Sequence, residues 1–163
     1  IDEDRLARAF VENYQPERGY GRGAREILDK MARGRNWRKK AANVFPGGSL
    51  GNGAAMRVAP VGLLFRDDLD AVWEEAAASA RPTHVHPVGI EGAQVLALAV
   101  AVASRDGVFD RRALYDELLK RVRTEEFRWA VRTARKIRPG DPVSVLGSTL
   151  HAHRSVVTAV ACF

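Results

Sequence analysis

The residues best suited to chemistry cluster at Pro46-Gly47-Gly48-Ser49-Leu50-Gly51-Asn52-Gly53, where four glycines and a proline fall within eight residues. Such a stretch is too flexible for the middle of a helix or strand and reads as a shaped loop. It runs into Ala54-Ala55-Met56-Arg57-Val58-Ala59, which regains helical character. A glycine-rich loop entering a helix presents backbone N–H groups at a positive helix end, the arrangement that holds phosphate and other anions. Ser49 and Asn52 add side-chain donors. The loop has neither the Lys-Ser/Thr of a P-loop nor a preceding strand, so its composition alone fits a plain inter-helix turn as well as an anion site.

Further along, Thr83-His84-Val85-His86-Pro87 places a second polar feature just ahead of a long helix. A neutral His84 imidazole can donate to a sugar or phosphate oxygen, or simply satisfy a backbone carbonyl. His86 reads as ordering the turn before Pro87. The pair His151-Ala152-His153 is expected to point its rings to different helix faces, and neither His84 nor His86 has a second ligand at zinc spacing, so a structural zinc is not expected.

The elements that must position these groups read as helices. Residues 4–14 place Leu6, Phe10 and Val11 on one side before Pro16 interrupts, and Arg18-Gly19-Tyr20-Gly21-Arg22-Gly23 makes a glycine-punctuated turn. Helices are then expected over 24–32, with Ile27, Leu28 and Met31 as its stripe, and over 37–45. Pro60 either starts a new helical segment through Phe65 or kinks the one before it. Asp67-Asp68 caps 69–80, Pro82 ends that element, and 88–104 forms a long helix of small residues. Asp110 caps 111–122, Thr124-Glu125-Glu126 opens 127–137, and Arg138-Pro139-Gly140-Asp141-Pro142 turns. A helical approach over 143–146 breaks at Gly147-Ser148 before the apolar run Val156 to Phe163. With no sustained period-2 alternation, repeat or low-complexity tract, the fold class is all-α, a compact multi-helix domain over 1–163.

Composition narrows the field. A hydrophobic fraction of 46% over 163 residues supports one ordinary core. The longest apolar run, Val95 to Ala103, is too short to span a bilayer, so no membrane role is expected. The single cysteine, Cys162, excludes an internal disulfide, fits a reducing cytoplasm and reads as a core thiol. A net charge of +6 permits attraction to polyanions. The tight basic clusters are Trp37-Arg38-Lys39-Lys40, which suits a solvated helix face, and Arg132-Thr133-Ala134-Arg135-Lys136. Without a DNA-reading motif, a nucleic-acid binder is the weaker reading.

The loop does not stand alone. Gly48 to Arg57, Ala59-Pro60-Val61-Gly62-Leu63, Ser79-Ala80, Thr83-His84 and His86-Pro87-Val88-Gly89-Ile90-Glu91-Gly92-Ala93 follow one another in the order and spacing of the ADP-ribosylglycohydrolase family, and Gly19 to Gly23 fits upstream. The chain resembles that family from about Gly19 to Ala103, more weakly through Ser155-Val156, and looks closest to its ADP-ribosylhydrolase 3-like branch, which releases ADP-ribose from serine and cleaves poly(ADP-ribose). The resemblance implies that Gly48, Ser49 and the loop amides, including Gly51, hold a diphosphate. It implies that Asn52 and His84 bind the ribose attached to the scissile bond, with Gly19 and Gly23 lining the cleft. Phe45 and Leu50 flank the loop. Leu50 stands where relatives often carry an aromatic, and covers a base face without a π-surface. Gly147 to Leu150 loosely matches a turn near the adenine.

The resemblance further implies two Mg²⁺ ions held by acidic residues beside the anomeric carbon, which orient ribose hydroxyls and activate water. The carboxylates for them belong to an N-terminal glycine-and-acid motif with a later Thr-Asp-Asp, and to a C-terminal Asp-x-Asp-Thr; neither motif occurs here. Asp67-Asp68 and Asp2-Glu3-Asp4 look like helix caps instead. The sequence opens at Ile1 without Met or a signal peptide and closes inside an apolar run, so we expect an internal segment that holds ADP-ribose, lacks metal ligands and hydrolyses nothing alone. A segment of that kind is also expected to leave apolar helix faces uncovered. The alternative is a non-catalytic ADP-ribose binding module.

Overall fold

In a computed structural model, residues 1–138 and 140–163 are described, together with every side chain among them except that of Lys40. The chain is all-α: among the described residues the only β feature is an isolated antiparallel bridge between Gly51 and His151. The helices are α1 (Glu3–Glu12), α2 (Arg22–Ala32), α3 (Trp37–Asn43), α4 (Ala59–Leu64), α5 (Leu69–Ala80), α6 (Pro87–Ala103), α7 (Arg111–Arg121), α8 (Glu125–Lys136) and α9 (Ala152–Cys162). Short 3-10 turns occupy Pro16–Arg18, Ala55–Arg57 and Ser144–Leu146. None of these helices is long and apolar enough to cross a membrane.

The starts of several helices follow from their caps. Side chains of Asp2, Asp68, Asp110 and Thr124 each accept from backbone N–H groups of the first turn of α1, α5, α7 and α8, satisfying donors that have no partner within the helix. Pro60 starts α4 rather than kinking an earlier helix. Asp67 is no cap, and its carboxylate only approaches Arg66, at 3.9 Å. The expected turn at 138–142 contains Pro139, outside the described residues; around it, the Arg138 N–H donates to the Asp141 carboxylate at 2.8 Å.

Helix α6 is the hub, packed by α4, α5, α7, α8 and α9. Its buried residues Val88, Ala93, Val95, Ala97, Leu98 and Ala101 lie all round its axis, the signature of a helix enclosed by protein. Small residues set the distances. A Cβ on Gly62 of α4 would come within 2.4 Å of the Ala97 carbonyl oxygen, and one on Gly92 within 2.6 Å of the Ala152 Cβ. Around α6 the core is completed by Tyr115, Phe127, Leu114, Leu118 and Leu146. A second cluster, Ala7, Ile27, Met31 and Trp37, binds α1, α2 and α3 to one another. That group meets the main body through α1: Arg81 pairs with Glu3 at 2.7 Å and the Ile1 ammonium pairs with Glu75.

Three expectations change. Cys162 is exposed, because α9 buries Val156, Val157 and Val160, a stripe whose opposite side holds residue 162 at 3.6 residues per turn. His151 and His153 stand with ring centroids 5.9 Å apart, since His151 is the extended N-cap residue of α9 and helical spacing does not govern it. The Trp37 end of the basic cluster is not a solvated face: its indole is buried, its Nε1–H donates to Asp4 at 2.8 Å, and Arg38 stacks over it while pairing with Asp4. Lys39 is exposed, and the Lys40 side chain lies outside the described residues.

Glu91 is the one buried carboxylate of α6, and it closes the start of α8 by accepting from the N–H groups of Arg123 (2.6 Å) and Thr124 (3.1 Å) and from the Thr124 hydroxyl. Removing it strands three donors. Glu91→Ala should therefore lower the unfolding free energy by about 2–4 kcal/mol, read from urea denaturation midpoints.

Candidate functional site

The glycine-rich loop lies between two segments distant in sequence. On one side the Asn52 N–H donates to the Leu150 carbonyl at 3.0 Å, the Ala152 N–H donates to the Leu50 carbonyl at 2.9 Å, and the Asn52 amide donates to Ser155 Oγ at 2.9 Å. On the other side the loop rests on the linker from α5 to α6. Gly48, at φ +92°, lies so close to it that a Cβ would meet the His86 nitrogen at 2.6 Å and Val85 Cγ2 at 2.7 Å. A Cβ on Gly89 in the first turn of α6 would meet the Ser49 carbonyl oxygen at 2.3 Å. Glycine is required at both places.

This clamp surrounds His84. Cβ atoms built on Gly53 and Gly89 would lie 3.2 and 3.1 Å from its ring carbons, and one on Gly51 4.0 Å from Nε2. His84 is buried, and its Nδ1 lies 2.8 Å from Thr83 Oγ1. Among the described residues no hydrogen bond reaches Nε2. Burial, and secondarily the positive charge of Arg57, pulls its pKa from the ordinary 6.5 down to about 4. The imidazole is therefore neutral at physiological pH. His86 acts as expected for a turn residue, its Nδ1 accepting from Val88 N–H at 3.2 Å to cap α6.

Of the residues singled out by sequence, Gly48, Ser49, Gly51 and Asn52 gather with His84 in this clamp. Gly23 and Phe45 touch each other: a Cβ on Gly23 would meet Phe45 Cε2 at 2.4 Å, and the Phe45 carbonyl accepts from Gly48 N–H at 2.9 Å. Gly19 stands apart, with nothing within 4 Å of a built Cβ. Leu50 is half-buried and packs on the main core. Several donors are already engaged: Gly48 N–H bonds within the turn, Gly51 N–H to Ser49 Oγ at 3.1 Å, and Asn52 N–H to Leu150. Among the described residues the N–H groups of Ser49, Leu50 and Gly53 have no protein acceptor, so anion-holding capacity lies with them. The loop enters a three-residue 3-10 turn and the six-residue α4 rather than a full helix, so the local amides rather than a long helix dipole supply positive potential here.

Sequence reasoning gave Arg57 no role. Its Nη1 donates to the Gly53 carbonyl (3.1 Å), and its Nη2 donates to the Ser79 carbonyl (3.1 Å) and Thr83 Oγ1 (2.8 Å); its face covers the Phe10 ring at 4.8 Å. Burial lowers its pKa to about 10, which leaves it charged. The available signal was an arginine inside Gly53-Ala54-Ala55-Met56-Arg57-Val58-Ala59-Pro60-Val61, with no acid three or four residues away to pair with. Ser155, the partner of Asn52, carries no such local mark.

A metal centre does not fit these residues. Among the described residues no three His, Cys, Asp or Glu side chains gather to hold an ion. Asp2 and Asp68 are caps, Glu3 pairs with Arg81, and Asp4 pairs with Arg38.

The folded chain holds His84 neutral while the unfolded chain protonates it near pH 6.5, so its contribution to stability is complete above that pH and is lost as pH falls toward 4. The loss reaches ~3 kcal/mol once both states are protonated. His153, also pulled down by burial, acts in the same direction. Urea unfolding measured from pH 7.5 to 4.5 should show a declining stability whose slope flattens, without vanishing, in His84→Asn.

Residues 1–163 match the family model described as ADP-ribosylglycohydrolase. The ADP-ribosylhydrolase ARH3 of Mus musculus is 32% identical over 192 residues, covering 100% of this chain and 51% of the relative. That of Homo sapiens is 32% identical, covering 100% and 52%. An uncharacterized protein of Archaeoglobus fulgidus is 37% identical over 119 residues, covering 73% of this chain and 36% of its own length. The chain spans about half the length of the curated relatives it matches. The match along the whole chain makes this chain a member of the ADP-ribosylglycohydrolase family.

Proposed function

We propose that this chain carries the ligand-holding segment, within one domain, of a hydrolase that cleaves the glycosidic bond between ADP-ribose and a protein side chain or a further ADP-ribose unit. The observation that carries the reading is the clamp itself: a glycine-rich loop with uncommitted amides packed onto a neutral histidine, in a chain of this family. The amides of Ser49, Leu50 and Gly53 suit the diphosphate, and Gly48, Ser49, Gly51, Asn52 and His84 form its immediate surroundings. Phe45 on Gly23 offers an aromatic face beside the loop, and Leu50 an aliphatic one; Gly19 stands farther out. The relatives named as ADP-ribosylhydrolases support the substrate class.

Two Mg²⁺ ions are the cofactor that the family resemblance implies, to orient ribose and water at the anomeric carbon. Among the described residues no cluster of three His, Cys, Asp or Glu side chains gathers to hold them. We place the working protein in the cytoplasm, on the ground that the single cysteine of this chain suits a reducing compartment.

Calorimetric titration of the chain with ADP-ribose should show binding without added metal, weakened about tenfold or more in His84→Ala, since a buried donor to the ligand is removed. Absence of binding would overturn the ligand assignment. Hydrolysis of ADP-ribosylated serine peptide by residues 1–163 alone, abolished by EDTA, would overturn the division between ligand-holding and metal-holding parts.

A further inference from the structure

The hydrogen bonds around Thr83 decide where the proton on His84 sits. Thr83 Oγ1 carries one hydrogen and has three neighbours: Arg57 Nη2 at 2.8 Å, His84 Nδ1 at 2.8 Å and the Ala80 carbonyl oxygen at 3.4 Å. The guanidinium only donates, so the hydroxyl accepts from it. Its own hydrogen then goes either to Nδ1 or to Ala80. The Ala80 carbonyl is a poor destination: it is farther away, and it already accepts from the N–H groups of Thr83 at 3.1 Å and His84 at 2.9 Å. A hydroxyl that accepts from a cation is also a stronger donor, which favours the short bond to Nδ1.

We propose that Arg57 and Thr83 are positioning residues that hold His84 as the tautomer protonated on Nε2, so that the ring offers a hydrogen-bond donor toward the glycine-rich loop. The relay runs from guanidinium to hydroxyl to Nδ1, each group donating to the next. With Nδ1 occupied as an acceptor, the ring proton belongs on Nε2, the nitrogen 4.0 Å from a Cβ built on Gly51 and 3.5 Å from one built on Gly53. Gly51 and Gly53, lacking side chains, leave that nitrogen uncovered. A donor there recognises an oxygen of the bound molecule, a ribose hydroxyl or phosphate in the reading above; this meaning rests on the proposed ligand, whereas the tautomer does not.

The test is long-range ¹H–¹⁵N correlation on the ¹⁵N-histidine-labelled chain near pH 7.5, with the His84 signals assigned by their loss in His84→Asn. The expected pattern is a pyridine-like Nδ1 and a pyrrole-like Nε2. Thr83→Ser should keep it, and Thr83→Val, which retains the shape and removes the hydroxyl, should shift the ring toward Nδ1–H or a mixture. Thr83→Val should weaken ADP-ribose binding about tenfold while Thr83→Ser stays within about twofold. A protonated Nδ1 in the wild-type chain overturns the relay, and that measurement needs no variant to fold. An unchanged tautomer in Thr83→Val overturns it as well. The expected tautomer and its response to Thr83→Val, in a chain that does not bind ADP-ribose, support the relay and overturn the ligand assignment; ADP-ribose binding with the opposite tautomer does the reverse.

Discussion

A part-buried positive charge that no carboxylate among the described residues meets is the constraint around which this structure is arranged. Arg57 is largely taken out of water, which is costly, and its guanidinium nitrogens Nη1 and Nη2 are stabilised by dipoles rather than by a counter-ion. Two of its acceptors are carbonyls, and one of these, Ser79, belongs to the last turn of α5, where the helix dipole is negative. The same guanidinium reaches Gly53 and Thr83, so it ties the end of α5, the exit of the glycine loop and the linker into α6 at one point. Moving any of the three leaves a part-buried cation under-solvated, and this makes the clamp stiff.

Stiffness alone does not bring the loop into contact with His84; the absence of side chains does. At Gly48 and Gly89 the backbone fills the volume a Cβ would take, at Gly53 the His84 ring comes tightly against it, and at Gly62 and Gly92 the same device lets α4 and α9 close on α6. The hub helix is thus built from small residues for two reasons that share one geometry. Its middle lets neighbouring helices approach, and its first turn lets the loop approach. Packing of the core and shape of the site are one construction, because displacing α6 along its axis would move Gly89 from beneath Ser49.

Much of this was legible in the sequence. Helix positions followed from apolar spacing and from Asp2, Asp68, Asp110 and Thr124, whose capping depends only on residues a turn away. The loop was legible because glycine clusters are conspicuous. What escaped depended on contacts between distant positions. The Asn52 to Ser155 and Arg57 to Ser79 hydrogen bonds are set by where α9 and α5 lie relative to the loop, and the exposure of Cys162 by which face of α9 meets the core. After the loop the sequence leaves two readings of Pro60, and the chain takes the one in which Pro60 opens a new helix, α4, behind a 3-10 turn. The shortness of both elements matters, because it moves the source of positive potential from a helix end to the loop amides and Arg57.

The arrangement resolves an apparent conflict in placing a buried histidine beside a part-buried arginine. A cationic imidazole would add a second charge to an interior that already holds one, and both burial and the Arg57 charge oppose it. A neutral ring accepts from Thr83 on one nitrogen and is free to donate from the other, so it turns the arginine's proximity into orientation. The positive potential and the directed donor then come from different residues: Arg57 supplies charge without leaving its own hydrogen bonds, and His84 supplies a donor within the clamp. For an anionic ligand this division is favourable, because the field strengthens whatever bond His84 makes while the ring itself stays uncharged and easily desolvated.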